Sequence, residues 1–353
     1  MFVVIDGSSM LVTEYYANLP NEIKFENDEE KKKNFYHKIL HNSAGEYTNA
    51  LLGMTRRILN IIEKQKPEYL VVVFDKTRNT FRREMFTDYK AQRKPTPEPL
   101  KSQFISMEKI IESLGIQCLY SDTYEDDDLA GSVIRKFESN SCPMRFITKD
   151  HDYLQLISDY TRGWIPQTKD DTLKSLEENY LSEFGISLSE CNLPDKVFEF
   201  TDIVTFGEEG VLPYQIPDKK AICGDTSDNI PGVKGVGDTA AIPLLQEYKS
   251  LEAIYDAIDD CNNDEKAEKA LATFWKEQLG IKRSPIKLLK ENRETAFLSK
   301  QLATIKTDCE IPANLDDYRY DIDKDVLKDI LEHYEFKSLM SFAEKDWEEL
   351  EQE

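Results

Sequence analysis

Four acidic residues stand in a row, Glu125, Asp126, Asp127 and Asp128, inside Thr123-Tyr-Glu-Asp-Asp-Asp-Leu-Ala130. Leu129, Val133 and Phe137 follow at helical spacing, so the run reads as a helix start that Thr123 can cap, with Glu125 and Asp128 on one face. Two charges about 4 Å apart repel by roughly 4 kcal/mol at an effective dielectric near 20. Such a group relieves the repulsion by keeping protons or by taking up a cation. Taken alone, the run also reads as a solvated helix start favoured by the macrodipole, so the rest of the chain must decide. Asp225 and Asp228 form a second acidic pair at i, i+3, whereas His37 and His41, at i, i+4, have no third ligand near them.

The elements that would position these acids alternate along the chain. Phe2–Ile5, Leu70–Phe74, Ile116–Tyr120 and Met144–Thr148 read as short buried strands. Helices are expected from about Thr48 to the stop at Pro67, over residues 102–114 and after the acidic run. This alternation implies an α/β fold, a mostly parallel, doubly wound sheet flanked by helices, whose ligands bind beyond the carboxyl ends of the strands. Asp6, Asp75, the acidic run, and Asp150 with Asp152 all fall at such ends. One aspartate after a strand is a turn residue; its repetition at every strand points to a shared cation site. The core is expected over residues 1–190, with an exposed polar excursion at 21–42 and weak patterning over 169–215.

A chain of 353 residues with a net charge of -22 argues on its face against nucleic acid. The distribution argues otherwise. Residues 76–101 hold eight basic side chains against three acidic ones, while residues 314–353 carry fourteen acids against five basic residues. The longest apolar stretch, Tyr69–Phe74, is far too short to span a bilayer, and Asp6 comes too early for a signal peptide, so a cytoplasmic protein without membrane contact is expected. Six scattered cysteines with no C-x-x-C pair suggest neither zinc nor a disulfide framework.

Asp225 and Asp228 lie within Cys223-Gly-Asp-Thr-Ser-Asp-Asn-Ile-Pro-Gly-Val-Lys-Gly-Val-Gly237, followed by a helix over 238–248. Gly232, Gly235 and Gly237 make a glycine-rich turn opening onto that helix, where backbone N–H groups can meet phosphate oxygens. No Gly-Lys-Ser/Thr follows, which disfavours a nucleoside-triphosphate loop.

Together these residues resemble the 5′-nuclease family, which includes the 5′→3′ exonuclease domain of bacterial DNA polymerase I, bacteriophage 5′-nucleases and flap endonucleases. The likeness covers most of residues 1–345. It rests on Val4-Ile-Asp-Gly7, Val73-Phe-Asp75, Phe81-Arg82, Tyr89-Lys-Ala-Gln-Arg93, Pro95-Thr-Pro97, Tyr124-Glu-x-Asp-Asp128, Thr148-x-Asp-x-Asp-x-x-Gln155 and the glycine turn Gly224–Gly237, in family order. The resemblance implies a nuclease core with a basic helical arch or clamp at 76–106, a helical DNA-binding subdomain at 191–310 with a helix-two-turn-helix at about 222–250, and an acidic segment, 311–353, packing back on the core. It implies two Mg²⁺ or Mn²⁺ ions, one drawn to Asp6, Asp75, Glu125, Asp127 and Asp128, the other to Asp150, Asp152, Asp225 and Asp228. Asp126 falls where the family tolerates a neutral residue and is left outside that set. By the same resemblance Lys90 and Arg93 hold the scissile phosphate and Arg82 binds backbone. Tyr89 stacks on a base, and Gly232, Lys234, Gly235 and Gly237 grip duplex, with K⁺ seated at that turn.

The implied activity is metal-dependent 5′→3′ exonuclease or flap endonuclease hydrolysis of DNA in replication and repair, with RNA primers or RNA/DNA hybrids as further substrates, by a free-standing monomer. The excursion at 21–42 looks longer than the family's loop, Leu52-Gly-Met54 replaces an aromatic-Gly-Phe pattern, and 169–215 aligns poorly. Three other readings compete. An aspartyl-nucleophile phosphatase wants a second Asp where Ser8 stands. A PIN-type ribonuclease needs fewer acids and no glycine turn. A branched-DNA-binding protein without hydrolysis needs neither the full acid set nor Lys90 and Arg93.

Overall fold

The computed structural model describes residues 1–166, 178, 182, 185, 193, 194, 197–345 and 347. Strands β1 (Phe2–Asp6), β2 (Tyr69–Asp75), β3 (Gln117–Ser121), β4 (Met144–Ile147), β5 (Thr161–Pro166) and β6 (Val197–Phe200) form one sheet in the order β3-β2-β1-β4-β5-β6. The first five are parallel, and β6 runs antiparallel to β5. In register, Phe2 lies between Tyr69 and Met144, and Asp6 lies opposite Val73.

Strand periodicity divides the apolar residues between two cores. Phe2, Val4, Val71, Val73 and Phe146 face one way; Val3, Ile5, Leu70, Val72, Phe74 and Ile147 face the other. Helices α1 (Gly7–Ala17), α2 (Asn49–Gln65) and α3 (Glu98–Ser113) cover the second face, while α4 (Asp126–Phe137) covers the first through Leu129, Val133 and Ile134. A helical unit containing α5 (Ile216–Cys223), α6 (Asp238–Tyr248) and α7 (Arg293–Ala303) extends that first core through Ile222, Leu244 and Ala296. Helix α8 (Lys324–His333) returns to the second core, where it buries Leu327 and Leu331 with Phe336.

Four strands lie where the sequence places them; β5 and β6 were not legible. Gly163 leaves room on β5 for the Phe146 ring, which a Cβ there would meet at 2.6 Å, and β6 has only four residues. Most of 169–196 lies outside the described residues. Helix α3 begins at Glu98, ahead of the expected 102, because Pro99 suits its first turn. Helix α4 is capped by Glu125 in place of Thr123, and Asp128 at its third position folds back onto the Glu125 N–H at 3.1 Å. The basic stretch is not a continuous helix: it is helical over Phe81–Met85, then turns until α3 begins. The 21–42 excursion is mostly exposed, with short helices at Asn21–Lys24 and Glu29–Lys33 and with Ile23 and Ile39 as its buried anchors. Among the described residues no helix is long and apolar enough to cross a membrane.

Candidate active site

The strand order reverses between β1 and β4, and a crevice opens where their carboxyl ends part. A dinucleotide would need a glycine fingerprint after β1, but Asp6-Gly7-Ser8-Ser9 stands there, and Asp6 already caps α1 by accepting the Ser9 N–H at 2.8 Å. Thr148, just after β4, donates its hydroxyl to the other Asp6 oxygen. Burial pushes the Asp6 carboxyl up to about 7, helped by Asp150 and Asp75. Asp75, at the end of β2, accepts the Asp126 N–H at 3.0 Å, and its own N–H donates to the Ser8 hydroxyl at 2.9 Å. Asp75 is itself exposed, but the protein atoms crowded around it and nearby Glu125 raise its carboxyl despite Lys90.

The acids of the α4 start then separate by position. Glu125 accepts from Thr80 Oγ1 at 3.0 Å, Tyr89 Oη at 3.1 Å and Lys90 Nζ at 2.6 Å. Burial would raise its carboxyl, but Lys90 and Arg82 hold it below the ordinary range. Asp126 is driven well above that range by burial and by Asp75, Asp6 and Asp127. Burial also raises Asp127 well above it, against the pull of Arg82. Asp127 Oδ1 is a buried oxygen with no hydrogen-bond partner; Arg82 stands 3.8 Å away.

A second group lies across the crevice. Asp150 accepts the Asp152 N–H at 2.9 Å, and Lys220 of α5 bridges the carboxylates of Asp152 and Asp225. Burial and Asp150 push Asp152 up to about 6 in spite of Lys220. Burial opposes ionisation of Asp225 as well, yet Lys220 and Ser227 hold it down at about 2. Asp228 pairs with Arg93 at 2.6 Å and stands 3.5 Å from Lys90. Lys90 itself sits at φ +52, with its N–H bonded to the Asp228 carbonyl at 2.9 Å, which turns its ammonium inward.

Several sequence expectations need correction. Asp128 is fully buried: Arg82 grips both its oxygens at 2.7 Å and Lys306 N–H adds a bond at 2.8 Å, so it is a structural partner and does not line the cleft. Arg82, 1% exposed and tied also to the Leu302 and Thr304 carbonyls, cannot meet a DNA backbone. Tyr89 is 3% exposed with its hydroxyl held by Glu125 and Asp228, and presents no face for a base. Gly232 donates its N–H to Ser299 Oγ at 3.0 Å, and a Cβ there would lie 2.2 Å from Gly224 N, so its role is to close the turn. Lys234 is exposed, Gly235 has φ +89 and Gly237 caps α6. Sequence reasoning missed Asp126, which lines the cleft, and Lys220, whose place five residues before Asp225 carried only a weak signal.

Asp6, Asp75, Glu125, Asp126, Asp127, Asp150, Asp152 and Asp225 share one cleft of about 1190 Å³ with Lys90 and Arg93, and Lys76, Arg78, Arg83, Lys94 and Lys101 add further positive charge to its lining. Among the described residues no three metal-ligating side chains stand ready to hold an ion, and chain cations pair with Glu125, Asp152, Asp225 and Asp228. The donor set still fits a hard divalent cation. It consists of carboxylate oxygens, one of them the orphaned Asp127 Oδ1, while His151 turns away to Glu209 at 3.0 Å.

A mostly parallel sheet with acids at its carboxyl edge, faced by a basic clamp and a helical unit carrying a glycine turn, defines an α/β fold with an acidic crevice. Residues 1–185 match the family model for the 5'-3' exonuclease N-terminal resolvase-like domain, and residues 211–325 match that for the 5'-3' exonuclease C-terminal SAM fold. The chain belongs to the 5'-3' exonuclease family. It is 30% identical over 345 residues to a 5'-3' exonuclease of Aquifex aeolicus, covering 97% of this chain and 94% of the relative. It is 34% identical over 339 residues to DNA polymerase I of Caldicellulosiruptor bescii, covering 96% of this chain but 33% of that protein, so it spans about a third of the length of its polymerase relatives. A T5 5'-exonuclease structure with bound zinc superposes with a TM-score of 0.56 at 17% identity, covering 97% of this chain and 99% of that one. The catalytic core of Rad2 in complex with DNA substrate gives 0.51 at 12%, covering 99% and 90%. At such identities these two likenesses speak for the fold.

Proposed function

We propose that this chain is a divalent-metal-dependent 5′-nuclease that hydrolyses DNA phosphodiesters at 5′ ends, flaps and junctions during replication and repair. The observation that carries the reading is the gathering of acids from three strand ends, the α4 start and the glycine turn in one cleft with Lys90 and Arg93. Asp6, Asp75, Glu125 and Asp127 would hold one ion, and Asp150, Asp152 and Asp225 the other, with Asp228, buried behind the cleft on Arg93 and Tyr89, joining them once Arg93 turns to phosphate; Mg²⁺ or Mn²⁺ suits all-oxygen donors. Bound there, a metal pair supplies a hydroxide at neutral pH and charge stabilisation for the leaving oxygen.

The chain's own part is positioning. Lys90 and Arg93, now paired with Glu125 and Asp228, exchange those carboxylates for the scissile phosphate. Lys234 and the N–H groups of Gly235 and Gly237 meet duplex backbone at the α6 N-terminus, where the turn also offers carbonyls to K⁺. RNA/DNA hybrids join DNA as substrates, and the enzyme acts as a monomer. The test is a 5′-labelled flap duplex incubated with the protein and Mg²⁺, then with EDTA. Cleavage near the junction that EDTA abolishes supports the reading; binding without cleavage under both conditions would leave a branched-DNA-binding protein.

A further inference from the structure

We propose, resting on the nuclease reading above, that Asp126 is a metal-binding carboxylate of this chain and takes the place assigned by sequence to Asp128. The acids of the crevice divide by who balances them. Lys90 pairs with Glu125, Arg82 with Asp128, Lys220 with Asp152 and Asp225, and Arg93 with Asp228. Asp126 is 8% exposed and has no ion pair with any cation among the described residues. A carboxylate so enclosed, with no cation of the chain bonded to it, is left to share its oxygens with a cation from outside the chain.

Its placement says which kind. Asp126 lines the same cleft as Asp6, Asp75 and Asp127, and its N–H donates to Asp75 Oδ1 at 3.0 Å, which sets the two residues side by side. Ser8, at the start of α1, accepts the Asp75 N–H at 2.9 Å and lines the same cleft. Asp6, Asp75, Asp126 and Asp127 thus line one cleft, and no lysine or arginine among the described residues is bonded to Asp6, Asp75 or Asp126, the donor chemistry of a hard divalent cation. Helix geometry explains the exchange with Asp128. The third helical position closes the capping box by folding back on the Glu125 N–H, whereas the first position, Asp126, stays turned toward β1 and β2.

The test uses the full chain without DNA. Mn²⁺ binding is followed by calorimetry and by the paramagnetic resonance of free Mn²⁺ for the parent, Asp126→Asn, Asp126→Ala and Asp122→Asn; Asp122 is an exposed acid paired with Lys76 at 3.1 Å. Both Asp126 variants are expected to bind at least tenfold more weakly, with metal-free melting temperatures equal to or above the parent's, while Asp122→Asn binds as the parent does. Affinities within twofold of the parent, an equal loss in Asp122→Asn, or a loss matched by a lower melting temperature would each overturn the assignment. A parent chain that takes up no Mn²⁺ overturns the nuclease reading as well, which separates the two failures.

Discussion

Asp127 and Asp128 are chain neighbours with opposite environments: one carries an orphaned oxygen toward the cleft, the other is clamped by a buried guanidinium. Asp128→Asn or Arg82→Ala leaves its partner buried without a counter-charge, and a loss of about 3–5 kcal/mol in urea unfolding is expected of either. Asp127→Asn should instead abolish Mg²⁺-dependent cleavage with no loss of metal-free stability; equal destabilisation by the two substitutions would contradict the division. A pH dependence follows from Asp6, raised to about 7, and Asp152, raised to about 6. Both lie above their unfolded value near 3.8, so the native state binds more protons between about pH 4 and 7, and stability falls as pH rises through that window. His151, raised chiefly by its bond to Glu209, acts in the same direction, whereas Glu209 and Asp225, held at about 2, lose their contribution only below pH 4. In EDTA the melting temperature should therefore increase from pH 8 to pH 5.5, and saturating divalent metal should reverse the trend; a flat profile in EDTA would count against the buried acids.

At the scale of elements, two loops carry the site. The Tyr89–Arg93 loop is pinned by the Lys90 N–H to the Asp228 carbonyl and by Asn229 Nδ2 to the Asp88 carbonyl at 2.7 Å, so clamp and glycine turn form one unit. Because Lys90 is preset at φ +52, its ammonium is positioned before substrate arrives. Lys90→Ala should thus slow single-turnover cleavage by at least about a hundredfold while flap affinity changes less than tenfold, the signature of a transition-state contact. Comparable losses in both quantities would make Lys90 a simple binding residue. In the turn, Gly232 has φ +61 and abuts Gly224, whose own Cβ would meet the Ile230 carbonyl oxygen at 2.7 Å. Gly232→Ala is expected to cost about 2 kcal/mol or more in denaturant unfolding, through strain and the close contact together.

At the scale of the molecule, the net charge of -22 is carried mostly outside the cleft, whose lining sets nine carboxylates against nine lysines and arginines. The basic lining attracts a phosphodiester that the acids behind it repel, and two divalent ions would neutralise about four charges locally. Affinity for branched DNA with non-catalytic Ca²⁺ should exceed that in EDTA by more than tenfold, at least about 1.4 kcal/mol. Monovalent salt should weaken binding steeply through the few phosphates met by Lys90, Arg93 and the rim. Identical affinities in Ca²⁺ and EDTA would mean that the acids do not face the bound phosphate.

Strands β1 to β4, helix α6 and the acids at the strand ends were legible in the sequence because each depends on local rules: short apolar runs, helical periodicity, and an acid following the last buried residue. Strands β5 and β6 escaped because each is short and becomes a strand by pairing, β5 beside β4 with Gly163 against Phe146 and β6 antiparallel to β5, not by its own pattern. The types of residue in the site, carboxylates facing a few cations, could be read from spacing and family likeness. Which carboxylates are free could not, because that depends on partners far away in the chain. Arg82 reaches Asp128 across 46 positions and Lys220 reaches Asp152 across 68, and only the folded chain brings those charges within bonding distance. Sequence therefore determined that this protein has an acidic crevice at a sheet edge, and tertiary structure decided which acids the chain neutralises itself and which it leaves for a cation.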